Sequence, residues 1–170
     1  MSSTDPWVLR HLPLVPAGGD VLDLAAGNGR HTALALQHGL TVCAVDRNVS
    51  GLGDNAAEVL EADLEGEPWP LGQRRFDGII VCNYLWRPLL PLVKAALAPG
   101  GVLIWTTFAA GNERFGRPRN PDFLLQPNEL LQMALPDLEV IAFEHGETDD
   151  PKAVRQSIVA RQIPTGPSRT

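Results

Sequence analysis

The chain has 170 residues, 44% of them apolar, and a formal net charge of −6. That length supports one domain with a full core, and that composition excludes a disordered chain. The acidic balance opposes broad nucleic-acid binding, and no apolar run reaches the roughly 18 residues of a membrane span.

The first six residues lack the basic start and apolar stretch of a signal peptide, so the expected setting is the cytoplasm. Lysine occurs only at Lys94 and Lys152, and no Lys/Arg run exists. Nucleic acid and membrane are therefore not the expected partners, and nothing fixes an oligomeric state. Cys43 and Cys82 each sit in an apolar run without a neighbour at ligand spacing, which reads as two small buried hydrophobes. His11, His31, His38 and His145 are scattered, so no metal site is expected.

In chain order, residues 6–12 suit a short helix and 13–20 a turn. Residues 21–25 form a first strand, 26–29 a tight turn, and 30–38 a helix closed by Gly39. Residues 40–45 form a second strand ending at Asp46. The glycines in 48–55 permit at most a short helix, and 57–62 make a weak third strand ending at Asp63. A loop over 66–75 precedes a fourth strand over 76–82. Residues 87–98 then read as a helix burying Leu89, Leu90, Leu92, Val93, Ala96 and Leu97. After a turn at 99–101 comes a fifth strand, 102–108, and a polar loop, 109–126, longer than a connector needs. A short helix over 127–135 follows. The strands 138–144 and 153–163 are separated by an acidic turn at 146–151, and 164–170 read as a loose tail outside a single domain of residues 1–163.

Alternating strands and helices imply parallel β-α-β units in a three-layer α/β sandwich. The last two strands are joined too tightly for a parallel crossover, so they must pair as an antiparallel hairpin.

The strongest motif is Val21-Leu22-Asp23-Leu24-Ala25-Ala26-Gly27-Asn28-Gly29-Arg30. A strand turns sharply into a helix here, with small residues where backbone must approach a ligand. An acid just before that turn suits the cationic amino end of a methionine moiety and would repel a pyrophosphate. Asp46 ends the second strand where an acid can accept both hydroxyls of a ribose, a feature an NAD site would share. Asp63, followed by Leu64, could accept from an adenine amino group while the next N–H donates to the ring. Each acid alone reads equally well as a solvated loop residue or a cap; three at successive strand ends form a constellation.

These residues resemble the class I S-adenosylmethionine-dependent methyltransferases over nearly the whole chain. The likeness includes Asp23 to Gly29, Asp46, Asp63, the strand from Phe76, the turn Leu97-Ala98-Pro99-Gly100-Gly101 and the final hairpin. It implies a Rossmann-like methyltransferase fold: a seven-stranded, mostly parallel sheet of order 3-2-1-4-5-7-6 with strand 7 antiparallel. It implies S-adenosyl-L-methionine across the ends of strands 1, 2 and 4. The holding residues would be Asp23, Ala25, Ala26, Gly27, Asn28 and Gly29, then Asp46 and Arg47, Asp63 and Leu64, and Cys82 and Asn83. Ala25 replaces the family's first glycine, and a slightly wider turn is expected there. A narrower likeness, carried by Tyr84 to Leu90, Asn112 to Gly116 and Asn120 to Leu125, is to bacterial tellurite-resistance-like methyltransferases.

A soft anionic acceptor needs no general base, whereas a hydroxyl or amine does. The candidate catalytic side chains are His31, in the first turn of a helix, and Tyr84, just past the fourth strand. Asn83-Tyr84 lacks the two prolines found in enzymes that methylate adenine or glutamine amides. The loop 109–126 carries Arg114, Arg117 and Arg119 against the acidic trend. It reads as a lid for a small anionic acceptor, with Asn112, Arg114, Arg117 and Arg87 as substrate-binding residues. The expected function is methyl transfer to a small molecule. The alternatives are a non-catalytic S-adenosylmethionine-binding module, an RNA or protein methyltransferase working with a partner, and an NAD(P)-dependent oxidoreductase. The last lacks its third glycine, since Thr32 stands there.

Overall fold

Val21, Leu22 and Leu24 are all fully buried, which a strand requires when both faces of its sheet are covered. They lie in β1 (Asp20–Leu24), the central strand of a computed structural model that describes residues 3–53 and 57–164. β1 pairs in parallel with β2 (Thr41–Asp46) on one side and β4 (Phe76–Cys82) on the other. β3 (Glu58–Glu61) extends the first side and β5 (Leu97–Phe108) the second. The last strands, β6 (Leu138–Asp149) and β7 (Lys152–Gln162), form a hairpin, and β7 is inserted antiparallel beside β5. The order is β3-β2-β1-β4-β5-β7-β6, as the family resemblance implied.

Successive strand residues point to opposite faces, so each strand feeds two cores. Ile80, Val102 and Ile104 pack with Trp7 and Val8 of α1 (Pro6–His11) and with Leu34 and Ala35 of α2 (Arg30–Gln37). Ile79, Val81, Leu103 and Trp105 pack on the other face with Val93 of α3 (Leu90–Ala95) and Leu130 of α4 (Glu129–Ala134). Three layers result. Trp7 anchors α1 by donating its indole N–H to the Ile158 carbonyl at 3.2 Å. Among the described residues no helix is long and apolar enough to cross a membrane.

Several expected boundaries move. The helix expected over 87–98 is a 3₁₀ turn, Arg87–Leu89, followed by a helix that ends at Ala95. Leu92, expected on the buried side, is 38% exposed, and Leu97 opens β5 instead of closing a helix. The turn expected at 99–101 lies inside β5, opposite a register shift between Phe76 and Gly78. The acidic turn expected over 146–151 is mostly strand, because β6 and β7 run on to Asp149 and Lys152. Its polar residues are exposed on both faces, so no apolar alternation marks them. Residues 48–55 contain only a 3₁₀ turn, Ser50–Leu52, and residues 54–56 lie outside the described region. Of the expected tail, only Pro164 is described.

The shift in β5 needs Gly101. A Cβ there would meet the Phe76 carbonyl oxygen at 2.7 Å and the Ala98 oxygen at 2.8 Å, both backbone atoms that cannot swing aside. Gly101→Ala should therefore destabilise the fold by about 2 kcal/mol, within the range for overpacked core positions. Urea denaturation checks this, and a loss of under about 0.5 kcal/mol would contradict it.

Candidate functional site

The chain leaves β1 through a turn held by positive φ angles: 57° at Ala25, 58° at Gly27 and 81° at Gly29. Ala25 is the position where substitution for glycine suggested a slightly wider turn. It adopts the left-handed conformation itself, at a cost of roughly 1–2 kcal/mol. The Ala26 N–H donates to the Val45 carbonyl at 2.9 Å, and the Gly29 N–H to the Ala26 carbonyl at 3.0 Å. A Cβ built on Gly27 would meet no protein atom within 4 Å, so the space before it is open to a ligand.

Asp46 sits half-buried at the end of β2. Its two carboxylate oxygens accept from the Gly27 and Asn48 N–H groups at 2.9 and 3.0 Å. This ties β2 to the turn after β1. Two cavities, of about 280 and 320 Å³, flank Ala25. Asp46, Arg47, Asp63, Leu64 and Tyr84 line the first. Asp23, Ala26, Gly27, Asn28, Cys82 and Asn83 line the second. Gly29 lines neither; it caps α2 and lies against Leu52. Arg30, which the sequence reading did not select, also lines the second cavity, and its guanidinium donates to the Ser3 carbonyl at 3.1 Å. Phe123, also unselected, reaches the first from the loop after β5.

Asp23 is only 3% exposed and accepts from the Thr32 hydroxyl at 2.6 Å. Burial pushes its carboxyl up to about 6, against the opposing pull of the Thr32 hydrogen bonds and the Arg30 charge. Thr32 thus fills with a buried hydroxyl the place where a dinucleotide fingerprint needs glycine.

The two catalytic candidates have environments that oppose base chemistry. His31 is buried, and its Nε2 accepts the Asp5 backbone N–H at 3.0 Å. Burial, with Arg30 beside it, lowers its pKa to about 4, so it is neutral but has its lone pair engaged. Burial, aided by Glu65 and Asp63, raises the Tyr84 phenol, which stays protonated as a wall or a donor. Burial likewise pushes the Cys82 thiol up to about 11.

Three of the four substrate-binding residues expected with the anion-binding lid have partners within the chain. Arg87 forks onto Glu129 at 2.7 and 3.0 Å and donates to the Asp122 and Leu124 carbonyls, stapling the loop to α4. Asn112 is buried; it accepts from the Val154 N–H and donates to the Pro118 carbonyl. Arg114 pairs with Glu147 at 3.0 Å, and Arg117 is exposed. None of the four lines the cavities beside Ala25. The acids that answer these arginines lie far away in sequence, which is why the loop's charge looked unbalanced.

A residue that sequence reasoning missed stands nearby. Arg155 of β7 donates from one terminal nitrogen to Asn83 Oδ1 at 2.7 Å and to the Thr106 hydroxyl at 3.2 Å. Its guanidinium lies over the Phe108 ring, 4.7 Å from the centroid. An arginine inside an apolar strand was the only signal available.

No protein-family description and no curated protein matches the chain. Solved structures do. TehB from Haemophilus influenzae superposes with a TM-score of 0.75 at 19% identity, over 95% of this chain and 63% of that one. This chain therefore spans under two thirds of TehB. An S-adenosylmethionine-dependent methyltransferase from Methanosarcina mazei gives 0.72 at 15% identity, over 96% of this chain and all of that one. The chain has the Rossmann-like methyltransferase fold. The 1,6-didemethyltoxoflavin-N1-methyltransferase of Burkholderia thailandensis, solved with bound 1,6-didemethyltoxoflavin and S-adenosylhomocysteine, gives 0.66 at 19% identity, over 92% and 76% of the two chains.

The methyltransferase fold places a buried acid at the end of β1, and this has a measurable consequence. Asp23 binds a proton more tightly in the folded chain, where its pKa is about 6, than at its ordinary 3.8. Its contribution is therefore most favourable below pH 4 and is lost as pH rises through 6, leaving a penalty of about 2–3 kcal/mol at pH 8. Asp23→Asn should be stabilised relative to the parent at pH 8, and the gain should vanish at pH 4. Equal effects at both pH values, by urea denaturation, would refute the buried-charge account.

Proposed function

We propose that the chain is an S-adenosylmethionine-dependent methyltransferase acting on a small acceptor. The observation that carries this is the pair of cavities joined at Ala25, with open space over Gly27 and the Asp46 carboxylate beside it. The residues present fit the cofactor. Each Asp46 oxygen uses one lone pair on backbone and retains acceptor capacity for ribose hydroxyls. Asp63, Leu64 and Tyr84 offer an adenine pocket, while Asp23, Gly27 and Asn28 offer the methionine end an acid and a close backbone. When bound, S-adenosylmethionine supplies an activated methyl group. The chain then aligns the acceptor and excludes water, which accounts for much of the rate in such a displacement.

No side chain among the two catalytic candidates is poised to take a proton. That supports an acceptor that is already nucleophilic, such as a thiolate or another soft anion. The solved neighbour holding 1,6-didemethyltoxoflavin beside S-adenosylhomocysteine supports a small-molecule acceptor.

Transfer of a labelled methyl group from S-adenosylmethionine to a panel of thiols, selenite and small carboxylates tests the reading. We expect at least one acceptor to be labelled. Tyr84→Phe and His31→Gln should reduce kcat by less than about tenfold, below the usual effect of removing a general base. Loss of about a hundredfold or more in either variant, with cofactor binding intact, would show a base where none is proposed. Cofactor binding without turnover would favour the binding-module reading.

A further inference from the structure

Beyond the two cavities at Ala25 lies a larger one, of about 560 Å³, between the start of α1 and the β6–β7 hairpin. Trp7, Arg155, Thr106 and Asp5 are among the residues that line it. Arg155 connects it to the second Ala25 cavity, because Asn83, its hydrogen-bond partner at 2.7 Å, lines that cavity.

The Arg155 side chain is 16% exposed. Every hydrogen bond it makes comes from one terminal nitrogen, and its other terminal nitrogen and Nε have no partner among the described residues. A guanidinium carries five donors in a planar fork. Most of that fork is therefore left to solvent or to a ligand, on a side chain stacked on Phe108. Asp5 stands 3.6 Å away, as an ion pair and not as a fork-to-fork hydrogen bond. Its other oxygen caps α1 by accepting the Trp7 N–H at 2.8 Å, so Asp5 is held back from a closer approach. The chain's own carboxylate thus marks where a carboxylate is attracted without filling the place. Glu144 and Glu147, the acids at the rim, are paired with Arg10 and Arg114 and do not cancel the Arg155 charge.

We propose that this cavity is the acceptor site and that it selects a small organic acid, with Arg155 holding the carboxylate and Trp7 beside its body. The proposal rests on the methyltransferase reading for the word acceptor. The volume falls in the range that encloses metabolite-sized ligands and exceeds what a bare inorganic anion needs. Arg155 is a specificity-determining residue, and Asp5 is an internal competitor that weakens the site toward anions.

The test is calorimetric titration of benzoate, acetate and selenite at fixed ionic strength, with and without saturating S-adenosylhomocysteine. Benzoate should bind more tightly than acetate or selenite. Arg155→Gln should weaken benzoate at least about tenfold, as expected for loss of a charge-assisted fork, with S-adenosylhomocysteine affinity changed less than about threefold. Asp5→Asn, which keeps an oxygen for the α1 cap, should tighten benzoate several-fold. That opposite sign is an effect a merely structural pair would not give. Unchanged benzoate affinity in Arg155→Gln, weaker binding in Asp5→Asn, or selenite binding as tight as benzoate would overturn the proposal. So would the absence of carboxylate binding while S-adenosylhomocysteine binds. Arg155-dependent benzoate binding without any S-adenosylhomocysteine binding would uphold the carboxylate site and overturn the cofactor reading alone.

Discussion

The left-handed turn after β1 is the constraint on which the rest of the site depends. Three residues with positive φ reverse the chain so tightly that the Gly27 N–H reaches Asp46 at the end of β2. The same turn starts α2 in the register that brings the Thr32 hydroxyl to Asp23. It leaves the space before Gly27 empty of protein. Ala25 shows how strongly the surroundings impose this geometry, because an alanine is held where glycine would be unstrained. The strain is stored at the junction of the two cavities, where a ligand would gain most from a fixed backbone.

Electrostatics divides the same edge of the sheet into two regions. Around Ala25 three titratable groups are held neutral: His31 by burial, with a backbone donor on its Nε2, and Tyr84 and Cys82 by burial. Asp23 is the partial exception, with a carboxyl that ionises only near pH 6. Across Asn83, the Arg155 guanidinium lies 3.6 Å from Asp5 and keeps donors without a partner among the described residues. The first region suits positioning of an activated group, and the second suits recognition of what it reacts with.

Much of this architecture was legible in the residues. The run from Val21 to Arg30 marked the turn because small residues and an acid at those positions have few other uses. β4 was bounded as observed, since Phe76 to Cys82 is apolar between polar flanks. The helix over 87–98 was overextended because Leu97 fits a helical face as well as a strand end, and only pairing with Phe76 decides between them. The long hairpin was hidden by residues polar on both faces. The partners of Arg87 and Arg114 were not legible, because Glu129 and Glu147 arrive from later elements. Arg155 was invisible as a site residue for the same reason: Asn83, Thr106 and Asp5 meet it only through the fold.

The most direct test is calorimetric titration of S-adenosylhomocysteine into the purified protein, beside NADH and against Asp46→Ala. Micromolar binding of S-adenosylhomocysteine, none of NADH, and a loss of at least about tenfold in the variant are what this account predicts, a change worth about 1.4 kcal/mol or more. Absence of S-adenosylhomocysteine binding to a folded protein, or equal binding by Asp46→Ala, would contradict it.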